Sequence, residues 1–305
     1  MLPIPEVFAR TIADLHGEAG EVWLAGLPGL LADCATRWGL TLGPPFTPLT
    51  YNYVAPAVRA DGTRVVLKVG FPGRTRTSEI EALRLYQGRG AARLLAADTG
   101  RGAMLIERLE PGVTLAALVT ESEDERATAS AAEVMRLIRR PAPPGHDFPS
   151  VADWGAGFAK MRRQFAGGSG PLPATLADEA ETLFADLLAS SAAPVLLHGD
   201  LHHDNILAAG RRRWLAIDPQ GVLGEPAYEV GALLRNPLPQ LLALPQPGQV
   251  LARRVDQLAE ALGLDRARVR GWGLAQAVLS AWWSIEDHGE GWEPTIACAE
   301  LLAAV

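Results

Sequence analysis

Three apolar residues in a row, Val195-Leu196-Leu197, run directly into His198-Gly-Asp-Leu-His-His-Asp-Asn205. An uninterrupted apolar triplet is the pattern of a strand buried on both faces, and the loop after it holds two acids, an amide and three imidazoles. That junction constrains the chain more than any other stretch, because a buried strand must deliver a dense set of polar groups to one place. Asn205 to Ala208 and Arg213 to Ile217 then read as two strands joined across Ala209-Gly-Arg-Arg212. If this hairpin is symmetric about residues 211 and 212, Asn205 lies opposite Asp218 at a cross-strand separation of roughly 5 Å, and both can bind one ion. Magnesium prefers oxygen ligands at about 2.1 Å and bridges a few protein oxygens to phosphates, which suits an amide oxygen beside a carboxylate. Asp200 is left to accept a proton from a hydroxyl.

Two rival readings use the same residues. His198, Asp200, His202, His203 and Asp204 are types that zinc or iron would choose, but a metallo-hydrolase draws further ligands from other strands, and only His16, His146 and His288 remain. The other rival is a solvated polar loop. With the zinc or iron cluster set aside, His202 and His203 read as a loop packer and an exposed side chain, and Asp204 caps or solvates the turn.

The chain has 305 residues, enough for one large domain or two of ordinary size. Apolar residues make up 48% and charged ones 21%, the balance of a globular chain rather than a disordered one. A formal charge of −7 argues against a broad nucleic-acid surface, which needs a basic excess, and suits a small cationic substrate better. Cys34 and Cys298 both fall in apolar helical patterns and read as buried thiols rather than a disulfide or metal pair. The start, Met1-Leu-Pro-Ile-Pro, has no basic region before an apolar block, and no apolar run reaches membrane-spanning length. A cytoplasmic monomer without membrane or nucleic-acid partners is expected.

Taken in order, Trp23, Leu27, Leu30, Leu31, Cys34 and Trp38 mark one helix face from about Glu21 to Trp38. Tyr51 to Val58 reads as a strand in which Pro56 signals an edge or a bulge. Asp61-Gly62 is a hairpin turn, and Thr63 to Val69 is a strand with Val65, Leu67 and Val69 on one face and Val66 and Lys68 on the other. Lys68 is either an edge lysine that discourages aggregation or a cation aimed at phosphate, which needs a carboxylate to orient it. Ser78 is placed as the cap of a helix to Gln87, with Glu79 and Glu81 in its first turn, where the helix dipole alone accounts for acids. Arg93 to Leu95 and Ala103 to Ile106 are strands around Asp98-Thr-Gly-Arg101. A domain boundary is expected near 108, dividing residues 1–108 from a helical domain, 109–305. Helical stripes follow at Ala131 to Ile138, Leu176 to Leu187, Leu251 to Leu262 and Val269 to Trp283.

The run His-Gly-Asp-Leu-His-x-x-Asn, followed by a hairpin and Ile217-Asp218, resembles the catalytic segment of the kinase-like aminoglycoside and choline phosphotransferases. Lys68, the Glu79 helix and the crossing segment near Glu107 stand in the expected order. More narrowly, Val22-Trp-Leu-Ala-Gly-Leu-Pro-Gly-Leu-Leu, Arg59-Ala-Asp-Gly-Thr-Arg, Leu67-Lys-Val, Arg93-Leu-Leu, Pro141-Ala-Pro-Pro-Gly and Trp214-Leu-Ala-Ile-Asp-Pro are similar to streptomycin 6-kinases and hydroxyurea kinases, over nearly the whole chain. The resemblance implies an α+β, protein-kinase-like bilobal fold, with a small antiparallel sheet lobe, a larger helical lobe and a cleft between. It implies ATP, with GTP as the alternative donor, and Mg²⁺. Lys68, oriented by Glu79, would contact the α- and β-phosphates, and Glu107 to Leu109 would form the hinge that holds adenine. Asp200 would be the catalytic base, Asn205 and Asp218 the magnesium ligands, and His198 a structural packer.

The sequence departs from protein kinases in two places. Thr50-Tyr-Asn-Tyr-Val lacks a Gly-x-Gly-x-x-Gly run, and Asp218 is followed by Pro-Gln-Gly instead of Phe-Gly, so no activation loop is expected. On the acceptor side a cationic aminocyclitol needs carboxylates that pair with guanidinium forks. Glu225, Glu229, Glu286 and Asp287, with Trp283 as a ring to line a pocket, are the candidates. Each acid taken singly reads as well on a solvated face. Streptomycin is therefore implied by the resemblance and not by these acids; a kinase of hydroxyurea or of another small metabolite is the alternative, and a silent nucleotide-binding protein is disfavoured because Lys68, Asp200, Asn205 and Asp218 are all present.

Overall fold

The computed structural model describes residues 3–305. The chain divides into two compact units, one formed by residues up to Gly88 together with Ala92–Glu110, the other by Arg89–Ala91 with Pro111–Val305.

In the first unit the order is α1 (Glu6–Trp38), β1 (Leu40–Leu42), β2 (Asn52–Arg59), β3 (Arg64–Gly70), α2 (Arg74–Tyr86), β4 (Leu94–Asp98) and β5 (Ala103–Glu107). The strands form one antiparallel sheet in the order β1-β2-β3-β5-β4. Alternation along β3 puts Val65, Leu67 and Val69 into a core with Phe8, Ile12, Leu27, Leu31 and Cys34 of α1. The opposite face carries Lys68 towards α2. The β2–β3 turn is made by Gly62 in the left-handed region at φ 82°, with Asp61 accepting from the Thr63 amide.

Three expectations are corrected here. The first helix begins at Glu6, well before Glu21, and is broken at Gly17 (φ 53°); the two glycines at 17 and 20 interrupt the apolar stripe that Phe8 and Ile12 begin. Pro56 lies on an interior strand and not at an edge. It is tolerated because its carbonyl accepts from the Gly43 amide just past the Leu42↔Ala57 pair, so the ring faces the place where β1 leaves the ladder. Ser78 caps nothing: α2 starts four residues earlier, after Gly73, and Ser78 is buried inside it. The first turn, Arg74-Thr-Arg-Thr, has no apolar side chain, and the periodicity becomes visible only at Ile80.

In the second unit the order is β6 (Pro111–Thr114), α3 (Asp124–Ile138), β7 (Arg140–Pro141), α4 (Val151–Gln164), α5 (Ala174–Ala189), β8 (Val195–Leu197), β9 (Ile206–Ala209), β10 (Arg212–Ala216), β11 (Val222–Gly224), α6 (Val230–Leu234), α7 (Gln240–Ala243), α8 (Pro247–Leu262), α9 (Arg266–His288) and α10 (Glu293–Ala303). The Val195-Leu-Leu strand is paired on both sides, by β11 and β7, and β9–β10 is a hairpin flanked by β6. Helix α9 is the hub, buried along most of its length by Val269, Trp272, Leu274, Val278, Leu279 and Trp282. Asp124 in the first turn of α3 and Arg254 of α8 are both fully buried and bonded at 2.5 Å, with Arg253 adding a 2.8 Å bond to the same carboxylate. Among the described residues no helix is long and apolar enough to cross a membrane.

Candidate active site

Lys68 is central in its sheet, bonded on one side to β2 and on the other to β5, so the edge-strand reading fails. It is 2% exposed, and its Nζ lies 2.7 Å from Glu79 Oε1. Glu79 stands in the interior of α2, and no acid occupies the first turn, so the helix dipole does not account for it. Its other oxygen accepts from Arg76, three residues earlier on the same helix face. Arg76 is a cation that sequence reading missed; its only signal is the i,i+3 spacing to Glu79. Glu81 points elsewhere and pairs with Arg84 on the surface. At the expected hinge, the Glu107 amide donates to Arg93 O at 3.0 Å and its carboxylate accepts from the Arg93 amide at 2.8 Å. Leu109 is half-buried.

In the second unit the loop after β8 is held from beneath. The buried Glu229 carboxylate accepts from the His198 amide at 2.6 Å and the Gly199 amide at 2.9 Å. Burial raises its pKa to about 7 against the lowering effect of those two bonds. Gly199 has φ 85°, and a Cβ there would come within 2.7 Å of the Trp154 ring and 2.8 Å of Val222; the chain can turn here only as glycine.

His198 is fully buried, with Nε2 2.7 Å from Ile217 O and Nδ1 accepting from the Asp200 amide at 3.3 Å. Those partners fix the tautomer with the proton on Nε2, and burial lowers the pKa to about 4. A neutral ring with both nitrogens committed is a strut and not a metal ligand. His203 is the buried packer of the other two imidazoles, and burial keeps it neutral as well. His202 caps the short turn His203–Asn205 by accepting from the Asp204 amide, so the capping expected of Asp204 belongs to His202.

Asp200 is partly open, with 32% of its side chain exposed against 21% for His202. Its Oδ1 accepts from Arg235 Nη2 at 3.3 Å, its Oδ2 lies 3.6 Å from His202 Nε2, and its carbonyl accepts from Asn205 Nδ2 at 2.9 Å. That last bond uses the donor end of the Asn205 amide and does not engage its oxygen. The hairpin register differs from symmetry by one residue. Ile206 pairs with Ala216, and the Ile217 amide donates to Asn205 O, so Asn205 faces Ile217, and Asp218 leaves the ladder at φ 58°. The left-handed turn substitutes for cross-strand alternation in redirecting the chain at Asp218; Asp is among the few side chains that adopt it at modest cost. An amide oxygen and a carboxylate on adjoining turns are an oxygen donor set of the kind magnesium takes. Among the described residues no group of three His, Cys, Asp or Glu side chains converges as a metal set.

The acceptor candidates separate. Glu225 is buried and bonded to Arg268 at 2.6 and 3.0 Å and to Trp272 Nε1, and Glu229 holds the loop, so both are committed to the fold. Trp282 is fully buried. Trp283 is half-buried and meets Trp154 edge-on at 5.8 Å. Glu286 lies 3.4 Å from Lys160, and Asp287 has its pKa raised by partial burial. Trp154, on α4, packs between Gly199 and the Trp283 ring, a placement that no sequence pattern indicated.

The fold is that of the kinase-like phosphotransferases. It superposes with a TM-score of 0.63 on a thermostable mutant of aminoglycoside phosphotransferase APH(4)-Ia in ternary complex with ADP and hygromycin B, covering 92% of this chain and 97% of that one at 16% identity. Residues 48–288 match the family described as aminoglycoside/hydroxyurea antibiotic resistance kinase, and the chain belongs to that family. It is 35% identical to the streptomycin 6-kinase of Streptomyces glaucescens, over 99% of this chain and 97% of the relative. It is 36% identical to the hydroxyurea phosphotransferase of Kitasatospora aureofaciens, over 99% and 86% respectively.

Proposed function

We propose that this kinase transfers the γ-phosphoryl group of ATP to a hydroxyl of streptomycin or a closely related aminoglycoside. The observation that carries the reading is the Asp200 loop: a partly open carboxylate on a backbone held by Glu229 and His198, with Asn205 and Asp218 on the adjoining turns. Asp200 would orient the acceptor hydroxyl and take its proton as the oxygen attacks phosphorus. Lys68 Nζ, held by Glu79, would bind phosphate oxygens, with Leu109 in the hinge and GTP as the alternative donor. Asn205 and Asp218 would hold Mg²⁺, which supplies charge neutralisation at the phosphates. Trp283, Glu286 and Asp287 are assigned to the cationic acceptor, where an aromatic face and carboxylates both favour guanidinium.

The test is ADP release with Mg-ATP across streptomycin, other aminoglycosides, hydroxyurea and choline. Turnover is expected with streptomycin. Turnover of hydroxyurea in its place would transfer the reading to the other activity known among the relatives, and no release with any aminoglycoside or with hydroxyurea would remove it.

A further inference from the structure

Arg235 follows α6, and its guanidinium makes three separate bonds. Nε donates to Ser280 Oγ at 3.1 Å, Nη1 to Gln276 Oε1 at 2.8 Å, and Nη2 to Asp200 Oδ1 at 3.3 Å. Ser280 and Gln276 are four residues apart and therefore on one face of α9, the most buried helix of its unit. Gln276 is itself 1% exposed and so tightly packed that a Cβ on Gly231 would overlap it. Two neutral acceptors on a rigid helix thus fix the fork before Asp200 is considered, and little side-chain freedom is lost in making the third bond. The exposures have a direction: the Arg235 side chain is 11% exposed and that of Asp200 is 32%. The cation sits behind the carboxylate, and the carboxylate is the more open of the two.

We propose that Arg235 is a positioning residue for phosphoryl transfer, acting through Asp200. Anchored by Gln276 and Ser280, it holds Oδ1 and leaves Oδ2, on the His202 side, for the acceptor hydroxyl. This rests on the assignment of Asp200 as base. A hydrogen bond to a charged group of this kind corresponds to about a ten- to hundredfold effect when it is lost. Because Arg235 is shielded by Asp200 and not directed at a ligand, the loss falls on kcat and leaves both Michaelis constants unchanged.

The experiment is steady-state phosphorylation of streptomycin by the full chain with Mg-ATP, comparing wild type, Asp200→Ala, Arg235→Ala and Arg235→Lys, with thermal melting of each. Arg235→Ala is expected to lower kcat about ten- to hundredfold with KM for ATP and for acceptor within about twofold. Added guanidinium is expected to restore part of the activity of Arg235→Ala and none of that of Asp200→Ala. Arg235→Lys keeps the charge without the fork and is expected to fall between; it carries the test if Arg235→Ala does not fold. A wild-type kcat in Arg235→Ala, or a raised KM with kcat retained, overturns the positioning role. If wild type is active and Asp200→Ala matches it, the base assignment fails and this inference fails with it. An active wild type, a dead Asp200→Ala and a normal Arg235→Ala would sink the Arg235 role alone.

Discussion

Residues of the same type are separated here by what surrounds them. Of the three loop imidazoles, His198 is a neutral strut, His203 a packer and His202 a cap. For His198 the folded pKa of about 4 lies below the ordinary 6.5. The stability it contributes is therefore present above pH 6.5 and lost as pH falls through 4, on the order of 3 kcal/mol across that window. Urea unfolding from pH 7 down to about pH 4.5 should show the loss in wild type and a shallower slope in His198→Gln; equal slopes would show that this ring does not drive the acid sensitivity. Asp200→Ala is expected to abolish transfer while nucleotide affinity stays near wild type, as read by calorimetric titration with Mg-ATP. Asp218→Ala is expected to weaken that same titration, and an unchanged affinity would count against Asp218 as a metal ligand. The identities of Lys68, Asp200, Asn205 and Asp218 stand out in the sequence because their types and spacing are rare in combination. Arg235 does not, since its partners meet it only when distant elements come together; Arg76 lies one helical turn from Glu79, but nothing local marks that pair as buried.

At the level of elements, periodicity was readable wherever apolar side chains recur, as along β3, α5, α8 and α9. It faded in the first turn of α2, which lacks them, while the first piece of α1 carries Phe8 and Ile12 but is cut off from the later stripe at Gly17. The β9–β10 register shows a different limit. Symmetry about residues 211 and 212 is the simplest assumption, but the turn closes at Arg212↔Ala209, centred between residues 210 and 211, and the irregular step between Arg212 and Trp214 recovers only part of the difference; a one-residue slip exchanges faces. The buried Asp124–Arg254 pair ties α3 to α8, and leaving Arg254 without its carboxylate strands a charge in the interior. Asp124→Ala should therefore lower unfolding stability by about 3 to 5 kcal/mol, measured by denaturant titration; a loss below about 1 kcal/mol would mean that water or the Asn236 carbonyl already satisfies Arg254.

For the molecule as a whole, a net charge of −7 favours a cationic acceptor through a long-range field that salt screens. Raising ionic strength from about 0.05 to about 0.3 M should raise KM for streptomycin several-fold and leave KM for neutral hydroxyurea, if it is turned over, unchanged. A streptomycin KM indifferent to salt would remove the field from acceptor binding. The sequence by itself determined the kind of chemistry, because a buried strand opening into a loop of acids and amide, followed by a hairpin and a further acid, has few uses. It also determined most of the secondary structure, since burial imposes the 2.0 and 3.6 periods on the chain. Only the tertiary structure decided which acids are spent on the fold, Glu225 and Glu229 among them, which imidazoles are buried, and which arginine stands behind Asp200. Those outcomes depend on distances between elements far apart in sequence, and no local pattern carries that information.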